Sequence, residues 1–238
     1  MKTTHSPFLL VVGLLAMSAP IPDRALAQEK PKVQVQIPNP GVPEGMTMEG
    51  KFVRAAYNNE GYVILGYQAT NRSVGEEWML LDVGMTVLDK TPAYTLKREA
   101  ITLDVPDGKT VPLPSIIEHR EGDTRPIQNR ARVQSDSINY FPPSASRACR
   151  IGFFSDLSSP AMAYDQVELS NTRACLGRLY FKVPGGIAHG QYWLNVKFEN
   201  SVLRVPFRVL TADEEKMLSK NYKAIDKQVE EAFKPKKK

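Results

Sequence analysis

From Met79 to Val87 the side chains alternate without a miss. Met79, Leu81, Val83, Met85 and Val87 stand on one side, with Asp82, Gly84 and Thr86 on the other. A strand turns successive side chains to opposite faces, whereas an amphipathic helix repeats its apolar stripe every three to four residues. The segment is therefore committed to a sheet, and it needs neighbouring strands to pair with.

Such neighbours recur on both sides. Residues 52–57 predict a short strand before the turn Asn58-Asn59-Glu60-Gly61, and residues 62–70 predict another, with Val63, Leu65, Tyr67 and Ala69 on one face. Residues 71–75 turn the chain again. Residues 94–105 read as one strand, closed by Pro106-Asp107-Gly108-Lys109 and followed by residues 110–113. Strands resume at 149–154, 166–169 and 176–183. Tyr192, Leu194, Val196 and Phe198, the turn Glu199-Asn200-Ser201, and Leu203, Val205, Phe207 and Val209 form the clearest hairpin. The 18 prolines fall largely between these segments, which suits short strands better than a helical bundle. Residues 46–210 thus predict a mainly β, antiparallel sandwich.

Two regions break the period. Residues 114–147 form a long polar insert, in which Asp123-Thr124-Arg125-Pro126 predicts the start of a short helix over residues 126–134. At the other end, Thr211 and Glu214 form a capping box. Beyond it Leu218, Tyr222, Ile225, Val229 and Ala232 recur at helical spacing, so residues 211–234 predict a C-terminal α-helix followed by a basic tail at 235–238. Its apolar stripe has three readings: docking on the sandwich, pairing with a helix of a second copy, or lying on an anionic membrane beside Lys234, Lys236, Lys237 and Lys238. Asp226, Glu230 and Glu231 weigh against the membrane.

Gly190-Gln191-Tyr192 resembles the Gly-x-Tyr opening of a late strand in immunoglobulin-like and fibronectin-type sandwiches. Residues 67–71 followed by 78–83 likewise resemble paired strands of exported sandwich domains. The resemblance spans residues 52–209 apart from the insert. It implies an immunoglobulin-like β-sandwich in which Tyr192 is a tyrosine corner, its hydroxyl bonded to nearby backbone. The two cysteines depart from the inter-sheet bridge of such domains.

The first 27 residues combine Lys2, an apolar run at 8–19 and the small-residue site Ala25-Leu26-Ala27, the order of a secretory signal peptide cleaved after Ala27. Residues 28–45 then read as a Pro-rich linker, with Val33, Val35 and Ile37 alternating as an edge strand would. An exported chain is secreted or periplasmic, and in an oxidising compartment Cys149 and Cys175 predict a disulfide. The loop it closes, about 27 residues, is worth about 3.5 kcal/mol of chain entropy.

Chemistry is sparse. His119 lies in the insert and His189 in a Gly-rich turn, both reading as solvated or turn residues, and neither belongs to a nucleophile or zinc motif. Asp82 and Asp104 lack the context of a paired-carboxylate site, and Asp107-Gly108 reads as a turn rather than a calcium loop. Asn71-Arg72-Ser73 fits a glycosylation sequon. In the insert, Arg120, Arg125, Arg130 and Arg132 suit an anionic group or protein partner, with Arg125, Arg130 and Arg132 the candidate contacts, although Glu118, Glu121, Asp123 and Asp136 would screen them. A formal charge of +5 is too mild for a nucleic-acid footprint. No cofactor or metal is implied. The expectation is an exported, non-catalytic domain that binds or scaffolds a protein or envelope component. The alternatives are an exported carbohydrate or ester hydrolase using His119 or His189, and a peripheral membrane protein.

Overall fold

The computed structural model describes residues 44–155 and 162–233. The expected leader, the alternation at Val33, Val35 and Ile37, Lys234 and the basic tail lie outside the described residues. One sheet runs, in spatial order, β1 (Gly45–Gly50), β2 (Val53–Tyr57), β3 (Gly61–Gly66), β4 (Trp78–Val87), β10 (Arg173–Lys182) and β8 (Arg147–Ile151). A four-stranded sheet follows the order β12 (Val202–Val209), β11 (Gly190–Lys197), β6 (Ile101–Asp104) and β7 (Thr110–Pro112). β5 (Tyr94–Lys97) and β9 (Gln166–Leu169) form a two-stranded ribbon. Pairings among these strands are antiparallel except that of β8 with β10.

Leu65, Leu81 and Leu179 of the first sheet, Leu103, Leu194 and Phe207 of the second, and Leu96 and Leu169 of the ribbon share one buried cluster. The protein is mainly β, antiparallel-rich and sandwich-like, with a long C-terminal helix.

Several boundaries differ from the sequence reading. β1 was not expected as a strand, and only its Gly45 lies in the residues assigned to the linker; Met46 and Met48 bury where flanking Gly45 and Gly50 had hidden the period. The strand expected over 62–70 stops at Gly66, and a helical turn α1 (Gln68–Asn71) follows, with the Thr70 hydroxyl donating to the Leu80 carbonyl. The strand expected over 94–105 breaks into β5 and β6 around a 3-10 turn, Arg98–Ala100. The strand expected over 149–154 ends at Ile151, and Phe153 and Phe154 turn into the core instead.

The C-terminal helix α4 (Ala212–Ala232) starts as its capping box requires. The Thr211 hydroxyl accepts from Glu214 N, and the Glu214 carboxylate accepts from Thr211 N. Two ion pairs, Arg208 with Glu214 and Arg72 with Glu215, fasten its first turn to the sandwich. Leu218, Ile225 and Val229 are buried, and the half-buried Tyr222 donates its hydroxyl to the Met48 carbonyl of β1 at 2.9 Å. Ala232, expected to end the stripe, is exposed, and Phe233 takes its place in the core. A break at Asn221 (φ −112°, ψ 15°), whose side chain donates to Met217 O, divides the helix.

The β11–β12 hairpin is tied to the first sheet by one carboxylate. Glu60, buried at the β2–β3 turn, accepts from Asn200 N and Nδ2 and from the Ser201 hydroxyl, while Asn58 Nδ2 donates to Ser201 Oγ at 2.8 Å. Burial works to raise the Glu60 pKa, but hydrogen bonds from Ser201 and Asn200 outweigh it and hold the group below the usual carboxylate range. A depressed folded-state pKa contributes stability that is present above the unfolded value and lost as pH falls through the folded one. Glu60→Gln is expected to lower stability by about 2 kcal/mol at neutral pH, checked by urea unfolding. The same variant should lose less stability than the parent on acidification below about pH 4.

Candidate interaction surface

The polar insert is bound to the sandwich far more closely than its composition suggests. Ser115 caps a helix, α2 (Ile116–Glu121), through a reciprocal capping box with Glu118. This helix was not expected, although Ser115 and Glu118 carried its signal in the sequence. Its last turn lies over Trp78, where Gly122 leaves room: a Cβ there would sit 2.3 Å from the indole. His119, read as a solvated residue, is instead buried, with its ring 4.5 Å from Tyr180, 4.7 Å from Phe154 and 6.1 Å from Trp78.

The expected second helix is present as α3 (Arg125–Val133), with Pro126 in its first turn. Ile127, Gln128 and Ala131 are buried, and Arg130 bonds to Glu76 Oε1 at 2.5 Å and to the Ser73 hydroxyl. Arg130 is thereby fixed as a fastener between α3 and the loop after α1, and not as an open anion contact.

Residues 134–146 then cross the outer face of the six-stranded sheet as a strap. Ile138 and Phe141 cover Val53, Ala55 and Ile64, and the Tyr62 hydroxyl donates to Tyr140 O. Glycine makes this close approach feasible. A Cβ at Gly66 would lie 2.9 Å from Ile138 Cγ2, and one at Gly84 would lie 2.7 Å from Phe141 Cζ.

The carboxylates that suggested chemistry hold the scaffold. Asp82 of β4 bonds Arg178 at 3.1 Å and accepts from the Ser135 hydroxyl at the head of the strap. Asp104 of β6, in the other sheet, pairs with Arg204 at 2.7 Å and accepts from Thr110. Asp107 pairs with Lys109 within its turn. Asn71 of the sequon is buried, its Oδ1 accepting from Leu210 N, so it is inaccessible in the folded chain. His189 is exposed just before β11. The Tyr192 hydroxyl donates to Ala188 O and accepts from Ala188 N, both at 2.9 Å, locking the entry to that strand.

Among the described residues Arg98 is the most deeply embedded arginine or lysine. Its guanidinium donates to the carbonyls of Phe153 and Pro114, stacks over Phe154 at 4.6 Å and has Asp165 at 3.7 Å. Burial lowers its pKa, with Asp165 opposing that trend. Nearby, Cys149 and Cys175 lie directly opposite in β8 and β10 and form a disulfide. Such a bridge fits an extracellular, oxidising compartment. Among the described residues no helix is long and apolar enough to cross a membrane.

The arginines among the described residues therefore sort into two sets. Arg72, Arg98, Arg130, Arg173, Arg178, Arg204 and Arg208 are ion-paired, and Arg54 caps the carbonyls of Gly50 and Val53. Arg120 of α2, Arg125 and Arg132 of α3, and Arg147 and Arg150 of β8 are exposed and make no ion pair with a described carboxylate. Of the three insert arginines expected to contact a partner, the fold leaves Arg125 and Arg132 presented. Arg147 and Arg150 were missed because their neighbours Cys149 and Ile151 read simply as strand.

Compared with protein-family models, curated proteins and solved structures, the chain matches none of them. Replacing Arg98 by Met keeps the volume but strands two buried carbonyls. A loss of about 3 kcal/mol is expected by urea denaturation.

Proposed function

We propose that the chain is an exported, non-catalytic binding or scaffolding protein of the cell envelope or extracellular space, contacting an anionic partner. The observation that carries this reading is the division of its arginines. One set is consumed inside the fold, and the other is displayed on the insert helices and the adjoining edge strand. Displayed guanidinium groups suit carboxylate or phosphate partners, and their contacts govern encounter and specificity. The disulfide and the leader-like N-terminus support export. The packing of His119 among aromatic rings, and the pairing of Asp82 and Asp104 with arginines, support a scaffold over a hydrolase.

Ile117 and Val133 project from the insert with 64% and 84% exposure, which suits them to carry a photo-crosslinking side chain. Each is expected to capture the same discrete partner in the producing cells, with His189 as the control position. Arg125→Glu combined with Arg132→Glu should weaken that capture by about tenfold. Capture indifferent to those charges would count against the reading. So would turnover of ester or glycoside probes that His189→Ala abolishes.

A further inference from the structure

Among the described residues the two larger sheets end in four edge strands, and three of these are blunted. β1 carries a register shift between Met48 and Gly50 and is flanked by α4, with Tyr222 bonded to its Met48 carbonyl. β12 contains Pro206, which has no N–H to offer, and β7 is three residues long and ends in Pro112. β8 has none of these devices. It is five residues without proline, and the Cys149–Cys175 bridge bolts it to β10.

Its backbone orientation follows from the hydrogen bonds at either end. Arg147 N donates to Thr172 O, toward β10. Alternation then turns Cys149 and Ile151 the same way, and directs the N–H and C=O of Ala148 and Arg150 outward. The Gly152 carbonyl, next in the outward series, already accepts from Tyr164 N at 2.7 Å. Beside this row lies an apolar step. Leu176 of β10 stands opposite Arg150 and is 37% exposed, and Ala148 is exposed on the same face.

We infer that the β8 edge receives an extended acidic segment of the partner protein by strand addition, a mode that rests on the binding reading above and names its geometry. Main-chain pairing to Ala148 and Arg150 supplies affinity, and the alternate side chains supply specificity. The charge of the edge chooses the occupant. Arg147 and Arg150 stand on opposite faces of the strand and have no carboxylate among the described residues, so Glu or Asp on either face of an incoming strand meets one of them across the ladder. A second copy of the chain is disfavoured, because centred antiparallel pairing of two β8 strands sets Arg150 opposite Ala148 and diagonal to the Arg150 of the other copy, two like charges with no carboxylate between them.

The test uses the purified, disulfide-bonded chain and a fluorescent peptide alternating Glu with Val. Matched peptides carry Lys for Glu, or Pro for every second Val. The acidic peptide is expected to bind and to slow amide exchange at Ala148 and Arg150, while the Lys and Pro peptides bind at least about tenfold more weakly. Arg147→Glu with Arg150→Glu should lose the acidic peptide, and so should Ala148→Pro, which removes one outward N–H. If Ala148→Pro fails to fold, the Pro peptide carries the same test from the ligand side. Equal binding of the acidic and Pro peptides, no binding of any peptide, or self-association that protects β8 would each overturn strand addition. Crosslinking at Ile117 and Val133 reports separately on the binding reading, so the two failures are distinguishable.

Discussion

β4 is buried on both of its faces, and much of the structure answers that demand. Met79, Leu81, Val83, Met85 and Val87 face the cluster shared with the second sheet, yet Leu80, Gly84 and Thr86 on the other side are buried as well. An antiparallel sheet that covers only one face leaves the other to water. Here the insert supplies a second cover. Its helices close one end of β4 over Trp78, and its strap lays Phe141 on Gly84. The polar residues of the insert hold that cover in place: Arg130 grips Glu76, and Ser135 bonds Asp82.

Much of this was legible wherever a local period ran uninterrupted. The hairpin of β11 and β12, the ribbon strand β9 and the capped helix α4 fall close to where alternation and the Thr211–Glu214 box place them. Legibility failed where the determinant is distant in the chain. The corner at Arg98 depends on the carbonyls of Phe153 and Pro114, which no window around residue 98 contains. The outer cover of β4 was hidden because Gly84 and Thr86 stand opposite the apolar row in the sequence, while Phe141, laid on Gly84, and the Ser170 carbonyl, bonded by Thr86, come from distant segments.

The candidate surface was half visible for the same reason. Arg125 and Arg132 could be singled out from composition, but Arg130 beside them differs only through Ser73 and Glu76, which arrive from another part of the fold. Arg147 and Arg150 gain their meaning from topology. Only the spatial order of strands reveals that β8 is an edge, and only its parallel pairing with β10 shows which backbone groups face outward.

The covalent bolt between β8 and β10 also has a mechanical side. Cys149 and Cys175 are 26 positions apart in the chain but opposite one another in the sheet. A tension carried along the backbone therefore passes through the sulfur atoms and bypasses β9 and everything else inside the loop. At roughly 3.5 Å per residue, about 90 Å of contour length is withheld from extension. Under load the protein behaves as a shorter and stiffer tether than its residue count suggests.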